Sequence, residues 1–320
     1  MGISTRPSGS TEPARAQTHG PAQPQAQPRV QAQAPVRRPR WKPPRTLRAL
    51  LRNPGALLAL LVMVFLAFVL VSPGSLTSFD PTLMSLPEKY APPSRIHIFG
   101  ADQLGRDVFA RVVYGTRISL GIGFGSTILS LIAGSFIGIV AGYYGGWFDK
   151  TLMTLMDMLM AFPSILLALV MVASLGTGAI NTIIALAVAM TPNFARQARA
   201  SVLSVREKQY IQAAHSVGLA SWYIMLRHIL PNILAPLLIT ASLSIGVAIL
   251  SEASLSYLGL GVPPPAPSWG TIVNEGKNAI GLAPWVATAG GGAVTVAVLA
   301  VNLLGDFLRD AYDPRLRGLR

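Results

Sequence analysis

Six apolar runs separated by polar stretches set the pattern of this chain of 320 residues. The runs lie at about 55–72, 118–142, 152–175, 179–192, 233–251 and 285–305. A helix needs about 20 residues to cross the hydrocarbon core of a bilayer, and backbone exposed to lipid must form its hydrogen bonds internally. We therefore expect an all-α polytopic bundle of six transmembrane helices. The fourth run is short, and it borrows either residues 176–178 or the start of the polar stretch that follows.

The composition supports a membrane protein and excludes several other classes. Hydrophobic residues make up 51% of the chain and charged residues 12%, with a mean hydropathy of +0.49, which is too apolar for an ordinary soluble domain. The absence of cysteine excludes disulfides and thiolate metal sites, and the four histidines are scattered, so we expect no bound metal. A net charge of +13 is compatible with nucleic-acid binding. However, the positive charge is segregated relative to the apolar runs, which indicates membrane topology and no nucleic-acid partner.

The first 44 residues differ from the rest. They are rich in Pro, Gln, Ala and Arg and have little to bury, so we expect a disordered tail at 1–44 and a membrane domain at 45–320. A cluster of Arg and Lys precedes the first apolar run, and we interpret it as a topology signal that also touches anionic lipid. Of the 26 Lys and Arg residues, 20 fall on the side of both termini and of the 193–232 stretch. This side is therefore expected to be cytoplasmic.

The polar stretch at 193–232 contains the pattern of a short helix. Four of its residues have the i, i+3, i+4, i+7 spacing of one apolar stripe, namely Tyr210, Ala213, Ala214 and Val217. Gly218 then ends the helix, because glycine adopts a left-handed conformation at little cost.

A second short helix is expected directly after this turn. Ser221 can cap a helix from Trp222 to about Leu230, and Pro231 then breaks it and can start the fifth span. The result is a helix-turn-helix along the membrane surface. Its small Ala213 and Ala214 allow a groove of another protein to close around it; alternatively, the hairpin only packs on its own bundle.

Four other residues are candidates for the transport pathway or for a hinge. Asp157 lies in or near the third span, where an ionisable group is often functional, although we favour a structural bond at the interface or within the bundle. Pro163 and Pro236 remove backbone hydrogen bonds and should kink their helices, either as hinges or as static packing. Glu252 ends the fifth span and contacts substrate or a partner, or is satisfied by nearby backbone.

The residues of the hairpin resemble the cytoplasmic loop of ABC importer permeases. The matching residues are Ala213, Ala214, Gly218, Leu230 and Pro231. The chain departs from that pattern at Gln212, where the family often has Glu, and at His228, where a broader consensus has Ile. Longer stretches at 99–107, 157–163, 251–261 and 267–270 are similar to the peptide/nickel branch, in particular to its C-type permease.

This resemblance implies a fold and a set of partners. It implies a type I ABC importer permease fold, a second permease, two cytoplasmic ATPase subunits and an extracytoplasmic binding protein, in a bacterial cytoplasmic membrane. The loop at 207–231 would dock on the ATPase through a set of seven residues: Tyr210, Gln212, Ala213, Ala214, Gly218, Leu230 and Pro231. The cargo would be di- or oligopeptides, with nickel or heme as alternatives.

The chain itself is expected to be no enzyme and to carry no cofactor. It has no Gly-rich phosphate loop ending in Lys-Ser/Thr, because the stretch at 142–146 lacks the lysine. ATP and Mg²⁺ would therefore bind on the partner ATPases. An ion-coupled secondary transporter, which should show repeated halves with broken helices, and a membrane scaffold without a docking hairpin are the competing hypotheses.

Overall fold

The computed structural model describes residues 53–312, and within this range the fold is helical, with no β-strand. The expectations for the tail at 1–44 and for the basic cluster before the first span lie outside the described residues. In chain order the helices are α1 (Pro54–Val71), α2 (Val108–Tyr144), α3 (Gly146–Met160), α4 (Ser164–Leu175), α5 (Ala179–Arg206), α6 (Gln209–Ser216), α7 (Ser221–Tyr257), α8 (Trp269–Lys277) and α9 (Pro284–Tyr312).

Local sequence explains where several helices begin. Asn53 caps α1 by accepting a hydrogen bond from the amide of Ala56 at 3.1 Å. Asp107 caps α2 in the same way, with the amide of Ala110 at 2.6 Å, and Ser268 starts α8 in a capping box with Thr271. Each cap satisfies an amide that has no partner within its helix.

Four of the described helices are each long and apolar enough to cross a membrane, namely α1, α2, α7 and α9. The third predicted run is not one straight span: α3 and α4 meet at 87°. The break lies at residues 161–163, where Pro163 is the residue before α4 rather than a kink inside a helix. Proline disfavours helical backbone at the residue before it and lacks an amide donor, so the helix ends here instead of bending.

The fourth run extends into the polar stretch. Helix α5 continues from Ala179 to Arg206, so residues 193–206 are helical and belong to the bundle. The fourth apolar run is therefore lengthened by the start of the polar stretch and not by residues 176–178. The connection between α5 and α7 is accordingly shorter than the 193–232 range.

The centre of the bundle is the contact between α2 and α5, and glycines make it possible. A Cβ atom at Gly134 would meet the Cβ of Phe194 at 2.5 Å, and one at Gly142 would meet the Cβ of Val202 at 2.9 Å. A Cβ at Gly138, between them, would collide with the backbone oxygen of Ala195. The three glycines recur every four residues, so they form one stripe on which α5 lies closely.

Helix α7 corrects the expectation for Pro231. The helix runs unbroken for 37 residues, with a π-helical stretch at Ile224–Ile229 directly before Pro231 in the next α-helical turn. The wider π turn accommodates a residue that cannot donate a hydrogen bond. Ser221 is also not the predicted cap, because Ala220 occupies that position and no side chain bonds there.

At the end of the bundle opposite α6, a segment at 72–107 covers the helices and is held by buried charges. Arg106 binds Asp102 at 2.7 Å and Glu275 of α8 at 2.7 Å. Arg111 of α2 binds the same two carboxylates, at 2.5 Å for Asp102. These four residues, which we call the outer charge cluster, join the segment to α2 and α8.

The same segment holds a buried histidine. His97 lies with its Nδ1 2.9 Å from the carboxylate of Asp107 and its Nε2 3.5 Å from that of Glu88. Burial by itself lowers the pKa of His97, but the hydrogen bonds and charges of the two carboxylates outweigh it, and the net pKa is raised above 6.5. The imidazole therefore ties the segment to the residue that caps α2.

Candidate functional site

The candidate site is the hairpin at 207–231, made by α6, a turn at Gly218 and the first part of α7. Gly218 has a φ of +78°, in the left-handed region that glycine adopts readily. Its amide donates to the carbonyl of His215 at 2.9 Å, and the amide of Leu219 donates to that of Ala214 at 3.2 Å. These bonds close the C-terminus of α6 and reverse the chain, as the sequence predicted for this glycine.

The inner face of the hairpin packs on the bundle. Ile211 and Ala214 of α6 are buried, and they share one hydrophobic cluster with Val202 of α5 and with Ile224 and Ile229 of α7. Leu230 is partly buried against the same cluster, whereas Pro231 is exposed. The hairpin is thus a fixed extension of α5 and α7 rather than a loose loop.

The predicted apolar stripe does not form the inner face of the hairpin. Only Ala214 of its four residues is buried, because Ile211 takes the inward position, while Tyr210, Ala213 and Val217 are exposed. Spacing alone does not tell which of two overlapping stripes turns inward.

The outer surface of the hairpin is therefore apolar to an unusual degree for a polar stretch. Its large exposed apolar side chains are Tyr210 (43% exposed), Val217 (80%), Leu219 (40%), Trp222 (63%), Tyr223 (39%) and Leu226 (59%). Exposed polar and charged side chains lie among them, namely Glu207, Lys208, Gln212 and Arg227. Helices that face lipid expose apolar side chains and exclude such charges; a mixed surface of this kind is typical of a protein–protein interface.

Polar contacts attach the hairpin to the end of α2. The ring of His215 stacks on that of Tyr143 with centroids 5.6 Å apart, and its Nε2 lies 3.3 Å from the Tyr143 hydroxyl. Arg206, at the end of α5, donates to the carbonyl of Gly142 at 2.8 Å. Gln212, the position where the related pattern has Glu, donates to the backbone oxygen of Glu207 at 3.3 Å and makes no ion pair among the described residues.

Two ion pairs link α5 to α3 near the hairpin. Arg199 binds Asp149 through two hydrogen bonds, at 2.5 and 2.7 Å. Arg196 binds Asp157 at 2.6 Å, with both side chains about half exposed (50% and 56%). Asp157 therefore bonds to the neighbouring helix at this end of the bundle. The sequence did not reveal either ion pair, because Arg196 lies 39 residues from Asp157 and Arg199 lies 50 residues from Asp149.

The remaining pathway candidates are not brought together. Pro163 lies in the sharp break between α3 and α4. Pro236 lies inside α7, which continues through it, and its carbonyl accepts a hydrogen bond from Thr240 at 3.1 Å.

The environment of Glu252 differs from both alternatives that the sequence offered. Its side chain is fully buried rather than exposed to a substrate or partner, and serine hydroxyls rather than backbone satisfy it. Ser119 of α2 donates to it at 3.0 Å and Ser256 at 2.8 Å, while the amide of Trp269 donates to Ser119 at 3.1 Å. The carboxylate thus joins α2, α7 and the start of α8, which agrees with the rule that buried polar groups are hydrogen-bonded.

No cluster that could hold a metal ion occurs among residues 53–312. The motif at 99–107 places Asp102, Arg106 and Asp107 close together, but the partners in the outer charge cluster and in the His97–Asp107 pair were not predicted. Their partners Arg111 and Glu275 come from other elements, so the motif alone could not name them.

Comparison with known proteins places this geometry in a family. Residues 134–318 match the family described as the inner membrane component of binding-protein-dependent transport systems. The chain is 45% identical to the glutathione transport system permease protein GsiD of Pectobacterium atrosepticum, over 70% of this chain and 75% of that protein. It is 40% identical to the dipeptide transport system permease protein DppC of Alkalihalophilus pseudofirmus, over 84% and 89% of the two chains.

A solved structure has the same fold. The MetNI methionine ABC transporter in an inward-facing conformation superposes with a TM-score of 0.51 at 20% identity, over 63% of this chain and 96% of that one. The resemblance read from the motifs and the all-α permease fold are therefore both confirmed. This chain is a multi-pass membrane protein and belongs to the family of inner membrane components of binding-protein-dependent transport systems.

Proposed function

We propose that this chain is one of two permease subunits of an ABC importer that carries di- or oligopeptides across the bacterial cytoplasmic membrane. Two cytoplasmic ATPase subunits bind ATP and Mg²⁺ and drive the cycle, and this chain binds no cofactor of its own. A binding protein delivers the peptide on the outer side. Both termini and the hairpin face the cytoplasm, as the distribution of Lys and Arg favours.

One observation carries the coupling part of this proposal: the hairpin exposes large apolar side chains next to charged ones. Leaving Val217 and Trp222 in water is unfavourable, at about 25 cal/mol per Å² of apolar surface. A partner that covers them removes this cost. Aromatic anchors surrounded by polar residues are the usual composition of such interfaces.

The packing supports a way for the ATPases to move the bundle. The hairpin is fixed to α5 through Ile211 and Val202 and to α2 through His215 and Tyr143. It also continues into α7, whose 37 residues make a helix about 55 Å long. A displacement of the hairpin is therefore passed to Glu252 and α8 at the other end, which suits a bundle that switches between two arrangements.

The proposal of a peptide substrate is based on the names of the relatives. Proteins 40 to 45% identical to this chain are named for glutathione and for dipeptides, and one of Pseudomonas aeruginosa, 40% identical over 83% of this chain, for di- and tripeptides. We infer that this chain serves small peptides as well.

The test uses charge to disrupt the exposed surface without touching the core. Val217→Glu and Trp222→Glu are each introduced into the complete transporter, with Ile280→Glu as the matched control, because Ile280 is 62% exposed at the opposite end of the bundle. We expect the two hairpin variants to lose co-purification with the ATPases and peptide uptake, and the control to keep both. Normal ATPase binding by both hairpin variants would contradict the docking surface, and uptake of no peptide by the intact transporter would contradict the substrate.

A further inference from the structure

A cavity of about 600 Å³ lies between α1, α2 and α9, beneath the 72–107 segment. This volume is in the range of sites for small molecules, about 300–1,000 Å³. The walls include Val69 of α1, Val113 of α2 and Ala293 of α9. Ile98 and Phe99 of the 72–107 segment also line it.

The polar side chains that line the cavity all donate their hydrogen bonds to backbone carbonyls. The indole nitrogen of Trp269 donates to the carbonyl of Val112 at 3.0 Å, and that of Trp285 donates to the carbonyl of Ala101 at 3.2 Å. The hydroxyls of the two lining threonines, Thr116 and Thr288, each donate to a carbonyl of their own helix. An occupant consequently meets a mostly apolar wall without a free donor, which disfavours a peptide and suits an alkyl chain.

Exposed apolar side chains border the cavity on α1 and α9. Phe65 of α1 and Val296 of α9 lie on its two sides and are 54% and 50% exposed. Both belong to helices that are long and apolar enough to cross the membrane. A chain of the surrounding bilayer can thus enter between these helices without leaving an apolar environment.

A cation lies beside the cavity at the end of α1. Arg117, the residue after the lining Thr116, is exposed. Its Nε and Nη2 donate to the carbonyls of Leu70 and Val71, both at 2.8 Å. These bonds hold the guanidinium at the polar end of the span, one to two residues beyond the lining Val69, where the phosphate of a lipid with its tail in the cavity would lie.

We propose that this cavity is a binding site for one acyl chain of a membrane phospholipid, whose headgroup phosphate is held by Arg117. The site lies in the leaflet next to the 72–107 segment. Because the acyl chain moves from one apolar environment to another, the contact between Arg117 and the headgroup supplies the preference for a lipid at this site.

Two glycines of α9 provide a matched pair for the test. A Cβ at Gly292 meets no atom within 4 Å, and this residue lines the cavity, so the side chain of Gly292→Phe has room at its Cβ and a cavity to occupy. A Cβ at Gly291 also meets no atom within 4 Å, but Gly291 lines a different groove, with Tyr257 and Leu258. Gly291→Phe is therefore the control.

The readout is fluorescence, because Trp269 and Trp285 line the cavity. The full chain with Trp41, Trp147 and Trp222 replaced by Phe is reconstituted into phosphatidylcholine vesicles that contain a brominated-chain phosphatidylglycerol, a quencher of tryptophan. We expect strong quenching in this background and in Gly291→Phe, and roughly half as much in Gly292→Phe, since the new ring displaces the chain. Equal quenching in both glycine variants overturns the proposal, as does loss of assembly with a second permease in Gly292→Phe at unchanged quenching.

A second quenching experiment tests the headgroup contact, and it does not depend on the folding of Gly292→Phe. Brominated phosphatidylglycerol should quench more than brominated phosphatidylcholine at the same fraction, and Arg117→Gln should remove this difference. Lys277→Gln removes a charge at the same end of the bundle, next to Tyr257, and should keep it. An equal preference for the anionic headgroup in both variants would show that Arg117 does not hold it and would overturn the proposal.

Discussion

Arg199 donates two hydrogen bonds to the carboxylate of Asp149, at 2.5 and 2.7 Å, and thereby connects α5 to α3 beside the hairpin. A planar guanidinium can match a carboxylate in this way, whereas a lysine ammonium cannot. The pair joins the helix that leads into the hairpin to the helix that ends in the 87° break before α4. It is therefore placed to make α3 follow when the hairpin moves.

Arg199→Lys should lower both stability and uptake. Because the Arg199 side chain is 36% exposed, solvent screening limits the loss in the free energy of unfolding to about 1 kcal/mol. Uptake should fall further than stability, since the bidentate geometry is lost. Thermal unfolding and peptide uptake by the reconstituted transporter measure the two effects. Arg196→Lys is the control, because the Arg196–Asp157 pair has one hydrogen bond and is more exposed; equal uptake by the two variants would contradict the role of Arg199.

Gly218→Trp should uncouple ATP hydrolysis from uptake while leaving membrane insertion intact. A non-glycine residue in the left-handed conformation costs roughly 1–2 kcal/mol, and a side chain here projects into open space beside the turn, where it would obstruct a docked partner. ATPase activity and uptake of the reconstituted complex are measured together. Gly259→Trp is a suitable control, since this glycine also has a positive φ and open space around it but lies beyond the other end of α7. Coupled transport by Gly218→Trp at the normal rate would refute the prediction.

Gly138→Ala should destabilise the bundle by about 1–3 kcal/mol, the usual cost of overpacking. The added methyl collides with the backbone oxygen of Ala195 and lies 2.7 Å from the Cβ of Ala198, so α2 and α5 must separate. Gly121→Ala, on the same helix, meets no atom within 4 Å and should be neutral or slightly stabilising, because alanine is the better helix former. The melting temperatures of the two variants in detergent decide the matter, and similar values would argue against the close contact.

Stability should depend on pH through His97. Its pKa is raised above 6.5 in the folded protein, so the charged imidazole stabilises the fold fully below about pH 6.5, and this contribution is lost as pH rises through the folded pKa. The melting temperature should accordingly fall as the pH rises from about 6.5 through the folded pKa of His97. His97→Gln should flatten this fall, and His215→Gln should leave it in place. A wild-type melting temperature independent of pH over this interval would show that the Asp107 and Glu88 contacts do not stabilise the charged form.

Prediction from sequence succeeded where a feature depends on neighbouring residues. The apolar runs gave the correct fold class and the position of four of the six predicted spans, and Gly218 was identified as the turn. It failed where competing local signals had to be weighed. Pro163 lies in the break between α3 and α4, Pro231 follows a π turn within a continuous helix, and Pro236 lies inside a helix. All three lack the backbone N–H that would donate within a helix. What differs is the packing around them, which decides whether a helix is held together across the missing bond.

Residue order alone identifies this chain as a helical membrane protein, locates the turn of its hairpin at Gly218, and shows to which family its motifs belong. Hydrophobicity, backbone preference and motif residues are all local properties. The folded chain adds that Ile211 and not Tyr210 faces inward, that Glu252 is buried among serines, and that Arg199 binds Asp149. Each of these depends on residues far apart in the chain, and their meeting is set by how closely the helices pack.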